Sequence, residues 1–303
     1  MSPMTTSELR AFQQICDPDG SILVIACDQR GGIRQLLASD PKLAAEISDQ
    51  VLGDTKSDIV SQLARHAPSV LLDPICAVPR VIEDGTLPRD VALLIGLDAS
   101  GFDRDGDGHY LSRLVPGVTA RRVRALGGTG GKLMIYLRAD HPEASEHNLA
   151  ILRQCLRDFA EEDVLLVVEF LTYRLPSESE AAYKALQPEL VEAGTKVCVA
   201  AGAKVLKLPY PGSAEACGAV TAAAGVVPWS VLSAGVDHAT FLGQVEIAMQ
   251  NGAAGVIAGR ALWKDCVSLD RDVQRRLLRE RAVPRLNEIK AVLARHIRAQ
   301  PKN

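Results

Sequence analysis

Gly202-Ala203-Lys204-Val205-Leu206-Lys207-Leu208-Pro209 is a short apolar and β-branched run, closed by a proline and carrying a lysine near its end. In a strand successive side chains point to opposite faces, so Lys207 shares a face with Val205, while Lys204 sits at the strand entrance on the other parity. One of the two lysines therefore points into whatever the strand helps to enclose. An ammonium among apolar walls loses hydration, its pKa falls from about 10.4, and the freed amine becomes a nucleophile for a carbonyl. The plainer alternative is a lysine paired with a carboxylate or emerging at the strand end, because buried charges are normally paired.

Runs of the same kind recur on both sides of this one. They are Ser21-Ile22-Leu23-Val24-Ile25-Ala26, Val70-Leu71-Leu72-Asp73, Val91-Ala92-Leu93-Leu94-Ile95-Gly96, Lys132-Leu133-Met134-Ile135-Tyr136, Val164-Leu165-Leu166-Val167-Val168-Glu169, Trp229-Ser230-Val231-Leu232-Ser233 and Gly255-Val256-Ile257-Ala258-Gly259. Continuous apolar runs of this length suit parallel strands buried on both faces. Helical patterns fall between them, at residues 41–65 with a proline at the start, 119–126, 146–161, 179–201, 213–224 and 238–251. A charged helical run, 270–298, follows the last strand, and residues 1–20 form an amphipathic lead-in. No shift in composition marks a linker, so residues 1–303 read as a single domain. The strand and helix alternation predicts a (β/α)8 TIM barrel with an additional C-terminal helix. A doubly wound open sheet is the structural alternative.

The chain has 303 residues, 47% of them hydrophobic and 23% charged, enough to build one large barrel. A formal net charge of -3 argues against nucleic acid as the main partner, since phosphate backbones call for a basic footprint. The basic run Arg121-Arg122-Val123-Arg124 fits a solvated helix face. No apolar run approaches the roughly 18 residues of a membrane span, and the N-terminus lacks a basic-then-apolar signal, so a cytoplasmic protein without membrane contact is expected. Seven cysteines without a C-x-x-C pair read as reduced core residues, not as a disulfide or zinc framework.

Barrel enzymes keep their chemistry where the C-terminal ends of the strands converge. That rule gathers Asp28, Gln29, Glu169, Lys207, Ser233 and Arg260 at one mouth, with Lys132 facing inward from lower in its strand. Arg30, Gly31 and Gly32 continue the polar turn after the first strand. Ser233-Ala234-Gly235 and Gly259-Arg260-Ala261 put small residues and exposed backbone N–H groups after the last two strands. This is the usual barrel site for a phosphate dianion, with Arg260 as its charge partner. Ordinary strand-to-helix turns beside a surface arginine are the plainer account.

Two motifs carry less than they promise. Asp103-Arg104-Asp105-Gly106-Asp107-Gly108 opens like a calcium loop, but Leu114 stands where a bidentate glutamate is required. Gly127-Gly128-Thr129-Gly130-Gly131-Lys132 resembles a phosphate loop, yet it precedes a strand and Leu133 replaces the serine or threonine, so it reads as a helix-to-strand turn. Residues 97–117, rich in Asp and Gly and without a period, read as one long loop, and long ordered loops are often functional.

Taken together, Asp28-Gln29-Arg30-Gly31, Lys132-Leu133-Met134, Val168-Glu169, Val205-Leu206-Lys207, Trp229 through Asp237 and Ala258-Gly259-Arg260-Ala261-Leu262-Trp263 resemble the class I aldolases that include tagatose 1,6-bisphosphate aldolase and sulfofructosephosphate aldolase. The resemblance runs from about Ser21 to the C-terminus. It implies that Lys207 forms the Schiff base and Glu169 transfers protons. It also implies that Asp28, Gln29, Arg30 and Lys132 contact substrate, while Ser233, Gly235, Gly259 and Arg260 hold an anionic end of it. The substrate implied is a phosphorylated, possibly sulfonated ketose, cleaved to dihydroxyacetone phosphate and a three-carbon aldehyde by a homo-oligomer that uses neither cofactor nor metal. The six histidines show no H-x-H or H-E-x-x-H pairing, which speaks against a zinc-dependent aldolase. Two competing readings stay open: a phosphosugar isomerase or epimerase using Glu169 as base, and a sugar-phosphate sensor without turnover.

Overall fold

Ile22–Cys27 (β1) is buried along its whole length, as a strand must be when a packed interior lies on one side and helices on the other. The computed structural model describes residues 3–296. Along the chain β1 is followed by β2 (Ser69–Leu72), β3 (Ala92–Gly96), β4 (Asp103–Arg104), β5 (Tyr110–Leu111), β6 (Gly130–Tyr136), β7 (Leu165–Leu171), β8 (Val205–Pro209), β9 (Trp229–Leu232) and β10 (Gly255–Ala258). Among the described residues, eight of these strands close into a barrel in the order β1-β10-β9-β8-β7-β6-β3-β2, and every pairing around it is parallel. The expected (β/α)8 architecture is the one observed, with helices between the strands.

Side-chain parity divides the core in two. Leu133, Ile135, Leu166, Val168, Leu206 and Leu208 belong to the larger cluster, in which the strands' outer faces meet the helices. Val24, Ala26, Leu94, Val167, Val205 and Ile257 fill the barrel interior together with Ala11 and Ile15 from the chain's start. The amphipathic lead-in is therefore a structural part: Thr6–Gln14 is a helix capped by Thr5 and Glu8, and it closes the lower end of the barrel. Lys204, at the entrance of β8, pairs with Glu8 of this helix.

Three expected elements come out differently. The single helix expected over 41–65 is two, Pro41–Glu46 and Asp49–Leu63, because Ile47 is extended and the Ser48 hydroxyl accepts from Val51 N to cap a new start. The long loop 97–117 contains an antiparallel hairpin, β4 with β5, and Asp105 Oδ1 closes its turn by accepting from Asp107 N and His109 N. The C-terminal run is Arg271–Leu277 and Val283–Arg295 joined by a π-helical turn, Leu278–Ala282; its expected last residues, 297–298, lie outside the described residues. Among the described residues no helix is long and apolar enough to cross a membrane.

Candidate active site

Register decides which side chains meet at the mouth. In the parallel ladders Glu169 of β7 is level with Lys207 of β8 and with Met134 of β6, and Lys132 is one inward position below. Glu169 shares parity with Val167, and Lys207 with Val205, both of the interior cluster, so the carboxylate and both ammonium groups converge inside the barrel. Lys207 Nζ donates to Glu169 Oε2 at 2.8 Å, and Lys132 Nζ lies 3.2 Å from the same oxygen. Lys132 is also 2.7 Å from Asp28 Oδ2 and 2.6 Å from Asp98 Oδ1. The expectation of a lysine among apolar walls is thus modified. Lys207 is nearly enclosed, at 4% exposure, but its partner is a carboxylate.

Two ammonium groups and three carboxyls share this space, and the carboxyls are not equivalent. Burial works against the Lys132 ammonium, but Asp28, Asp98 and Glu169 outweigh it and raise its pKa well above the ordinary value. Burial also opposes ionisation of Asp28, yet the Lys132 and Lys207 charges hold its carboxyl well below the usual range. For Asp98 burial prevails over the attraction of Lys132, and the neighbouring charges of Asp28 and Glu169 push the same way, so its pKa is raised. Asp98 therefore carries a proton more readily than Asp28 does.

Beside the cluster is a cavity of about 160 Å³ lined by Gln29, Glu169, Lys207, Ser233, Gly259 and Arg260. Arg260 is half-buried and, among the described residues, its guanidinium has no carboxylate partner. Gly235 has φ +82° and packs against that guanidinium, where a Cβ would stand 3.1 Å from Arg260 Cζ. The turn is held from beneath by Lys264 Nζ, which donates to Gly235 O at 2.6 Å. Among the described residues, Asp28 Oδ1 and Gln29 Oε1 are buried acceptors without a hydrogen-bond partner, so two oxygens at the mouth are free to receive hydroxyl groups.

Arg30 is directed elsewhere. Its guanidinium donates to Asp98 O at 3.2 Å and lies 3.9 Å from Asp73 Oδ1, so it braces the start of the 97–117 loop and does not line the cavity. Asp73 is in turn paired with the fully buried Lys56. Asp98 was not among the residues singled out from the sequence, although it lies two positions past β3, much as Asp28 lies directly past β1. The Asp-rich hairpin after it obscured that signal.

A family model described as the DeoC/LacD family aldolase matches residues 22–265. Tagatose 1,6-diphosphate aldolase of Staphylococcus aureus strain JH9 is 25% identical over 320 residues, covering 95% of this chain and 96% of that protein. Among solved structures, a Schiff-base-forming fructose-1,6-bisphosphate aldolase superposes with a TM-score of 0.63 at 19% identity, covering 93% of this chain and 98% of that one. The fructose-bisphosphate aldolase of Slackia heliotrinireducens gives a TM-score of 0.65 at 19% identity, covering 96% and 89%. These structures share the barrel, and the family match covers the strands and turns that carry the mouth. The chain belongs to the DeoC/LacD family of aldolases and is on that ground a carbon–carbon lyase.

Proposed function

We propose that the chain is a class I aldolase that cleaves a ketose 1-phosphate bearing a second anion at C6, through a Schiff base on Lys207. One observation carries the reading: Lys207 and Glu169 share a 2.8 Å hydrogen bond beside a cavity whose wall holds the uncompensated Arg260. Glu169 is positioned to take a proton from the Lys207 ammonium, and the free amine then attacks the C2 carbonyl of the substrate. Glu169 returns that proton to the carbinolamine hydroxyl, which leaves as water to give an iminium, and Glu169 is again a carboxylate. When the C3–C4 bond breaks, its electron pair is taken up by the iminium as an enamine, while the C4 hydroxyl gives its proton to Glu169 and leaves as an aldehyde. Returning that proton to C3 and hydrolysing the imine releases dihydroxyacetone phosphate and regenerates the lysine.

Lys132 has a supporting part in this scheme. Its ammonium occupies the centre of three carboxyls and lies 3.2 Å from the Glu169 oxygen that would carry the proton, so it keeps a fixed positive charge beside that oxygen throughout the cycle. A metal ion has no step in the scheme. Asp28 Oδ1 and Gln29 Oε1 are the acceptors available for substrate hydroxyls, and Ser233, Gly235, Gly259 and Arg260 would hold the C1 phosphate. Tagatose 1,6-bisphosphate and 6-deoxy-6-sulfofructose 1-phosphate both satisfy this description. A cytoplasmic homo-oligomer is the form proposed, and the seven buried free thiols suit a reducing compartment.

The test is borohydride reduction in the presence of dihydroxyacetone phosphate, followed by mass mapping. A reduced adduct on Lys207 is expected, and Lys207→Arg, which keeps the charge but cannot form an imine, should lose turnover by several orders of magnitude while remaining folded. Appreciable activity in that variant would overturn the Schiff-base reading.

A further inference from the structure

The 97–117 segment builds an aromatic column over one side of the mouth. Phe102 stacks on Tyr110 with ring centroids 3.7 Å apart, and Tyr110 stacks on Tyr173 at 4.1 Å. Tyr136, the last residue of β6, meets this column edge-on: its ring is 5.0 Å from Phe102 at 76°, 5.1 Å from Tyr110 at 84° and 6.0 Å from Tyr173 at 85°. Perpendicular contacts of this kind fix the direction of a ring as well as its position.

The backbone of Tyr136 is fixed by the same hairpin. Tyr136 N donates to Ser112 Oγ at 2.9 Å, and Asn148 Nδ2 donates both to Tyr136 O at 2.8 Å and to Tyr110 O at 2.7 Å. Asn148 Oδ1 in turn accepts from Ser112 N at 2.7 Å, which closes the network. A loop with no period in its sequence therefore forms a rigid cradle for one tyrosine.

Where that tyrosine points follows from register. Lys132, Met134 and Tyr136 share one parity of β6, and the Lys132 ammonium lies in the charge cluster, so all three face the barrel interior at rising heights. Tyr136 is level with Leu171, which lines the cavity, and stands one inward position above the level of Glu169. In the closed order β6 lies four places from β10 whichever way round the barrel is counted, directly across the mouth from Arg260. A ketose 1-phosphate with its phosphate at Arg260 and C2 at Lys207 must extend its remaining carbons toward β6. The C4 oxygen comes to Glu169, and the next carbon comes to the level above.

We propose that the Tyr136 hydroxyl donates a hydrogen bond to the substrate's C5 hydroxyl, the one adjacent to the aldehyde carbon after cleavage. Tyr136 would thereby be a specificity-determining residue for hydroxylated aldehydes. The inference rests on the Schiff-base reading above. Burial first, then the charges of Asp98 and Glu169 with Tyr110 close by, raise the phenol's pKa and keep it in its donating form. A site built to hydrogen-bond a substrate hydroxyl rejects an analogue lacking it, because a polar group is then left unpaired.

The experiment runs the reaction in the direction of bond formation. Dihydroxyacetone phosphate is the donor, and the acceptor is either glyceraldehyde 3-phosphate or 3-oxopropyl phosphate, which lacks the neighbouring hydroxyl. Wild type is expected to prefer the hydroxylated acceptor in kcat/KM by about 10²-fold or more. Tyr136→Phe, which removes one oxygen and keeps the ring in its column, should reduce that preference to a few-fold while borohydride trapping of dihydroxyacetone phosphate on Lys207 is unchanged. Intact trapping with an unaltered preference, or equal loss on both acceptors, would overturn this inference alone. Absence of a trapped adduct in wild type would overturn the Schiff-base reading and this inference with it.

Discussion

At the scale of single residues, the mouth depends on an unequal division of charge. Asp28 is held ionised by Lys132 and Lys207, whereas Asp98 retains its proton more readily than it would in an unfolded chain. The two therefore affect stability with opposite signs. A carboxyl with a lowered folded pKa contributes stability above its unfolded value near 3.9, lost as pH falls; one with a raised folded pKa contributes below that value and loses its contribution as pH rises. Asp28→Asn should lower the melting temperature at pH 7, by the equivalent of about 1–3 kcal/mol for a lost charged hydrogen bond. Asp98→Asn imitates the protonated form and should leave stability at pH 8 equal to wild type or above it. Thermal melts between pH 5 and 8 that ranked the two variants the other way would contradict this division of charge. For Glu169 the expected result is kinetic: Glu169→Gln should slow the chemical step roughly 10²- to 10⁴-fold with little change in substrate affinity. A change confined to KM would make it a binding residue instead.

At the scale of elements, the two C-terminal helices are clasped to the rest of the molecule by buried and half-exposed carboxylates. Asp58, almost inaccessible, accepts from Arg271 Nε at 2.8 Å and Arg275 Nε at 2.7 Å. Asp265, just past the short helix Arg260–Trp263 that follows β10, accepts from Arg285 Nη2 at 2.9 Å, and the hydrogen bond from Arg285 is the main reason its pKa is lowered to about 2. Because the folded pKa is depressed, this clasp contributes fully above the unfolded carboxyl range and is lost as pH falls toward 2. Asp265→Asn should therefore melt below wild type at pH 6, and the difference should vanish near pH 2. The pair is partly exposed, so solvent screening should keep the gap at pH 6 small, about 1 kcal/mol or less. A gap that persisted at acid pH would mean that the substitution disturbs packing rather than charge.

At the scale of the whole molecule, barrel closure sets two groups of side chains on opposite sides of the mouth. Arg260 and the Gly235 turn stand on β10 and β9, Lys207 on the adjoining β8, and Lys132 and Tyr136 across the axis on β6. A phosphate held at Arg260 would place C2 of a ketose 1-phosphate within reach of Lys207, so part of its binding energy would be expressed as orientation. Arg260→Ala should cost about 2–4 kcal/mol in kcat/KM for a substrate phosphorylated at C1 and little for an analogue lacking that phosphate. Equal losses on both would mean that Arg260 reads the distal anion and that the substrate runs across the mouth in the opposite direction.

The sequence by itself determined eight apolar strands alternating with helices, which a closed parallel barrel fits best, and strand parity put Lys207 on the face of Val205 and Glu169 on the face of Val167; closure of the barrel decided that this face is the inner one. It did not determine which residues those side chains would meet. Asp98 reaches Lys132 only because β3 pairs with β6 after the 97–117 segment, and no period within that segment could signal the aromatic cradle around Tyr136. Lys204 finds Glu8 across 196 residues, and Arg30 turns to the Asp98 carbonyl across 68. Local pattern dictates element and face over a few residues. Charge pairing and ring stacking depend on distances that exist only after the chain has closed on itself, and so were decided by the tertiary structure.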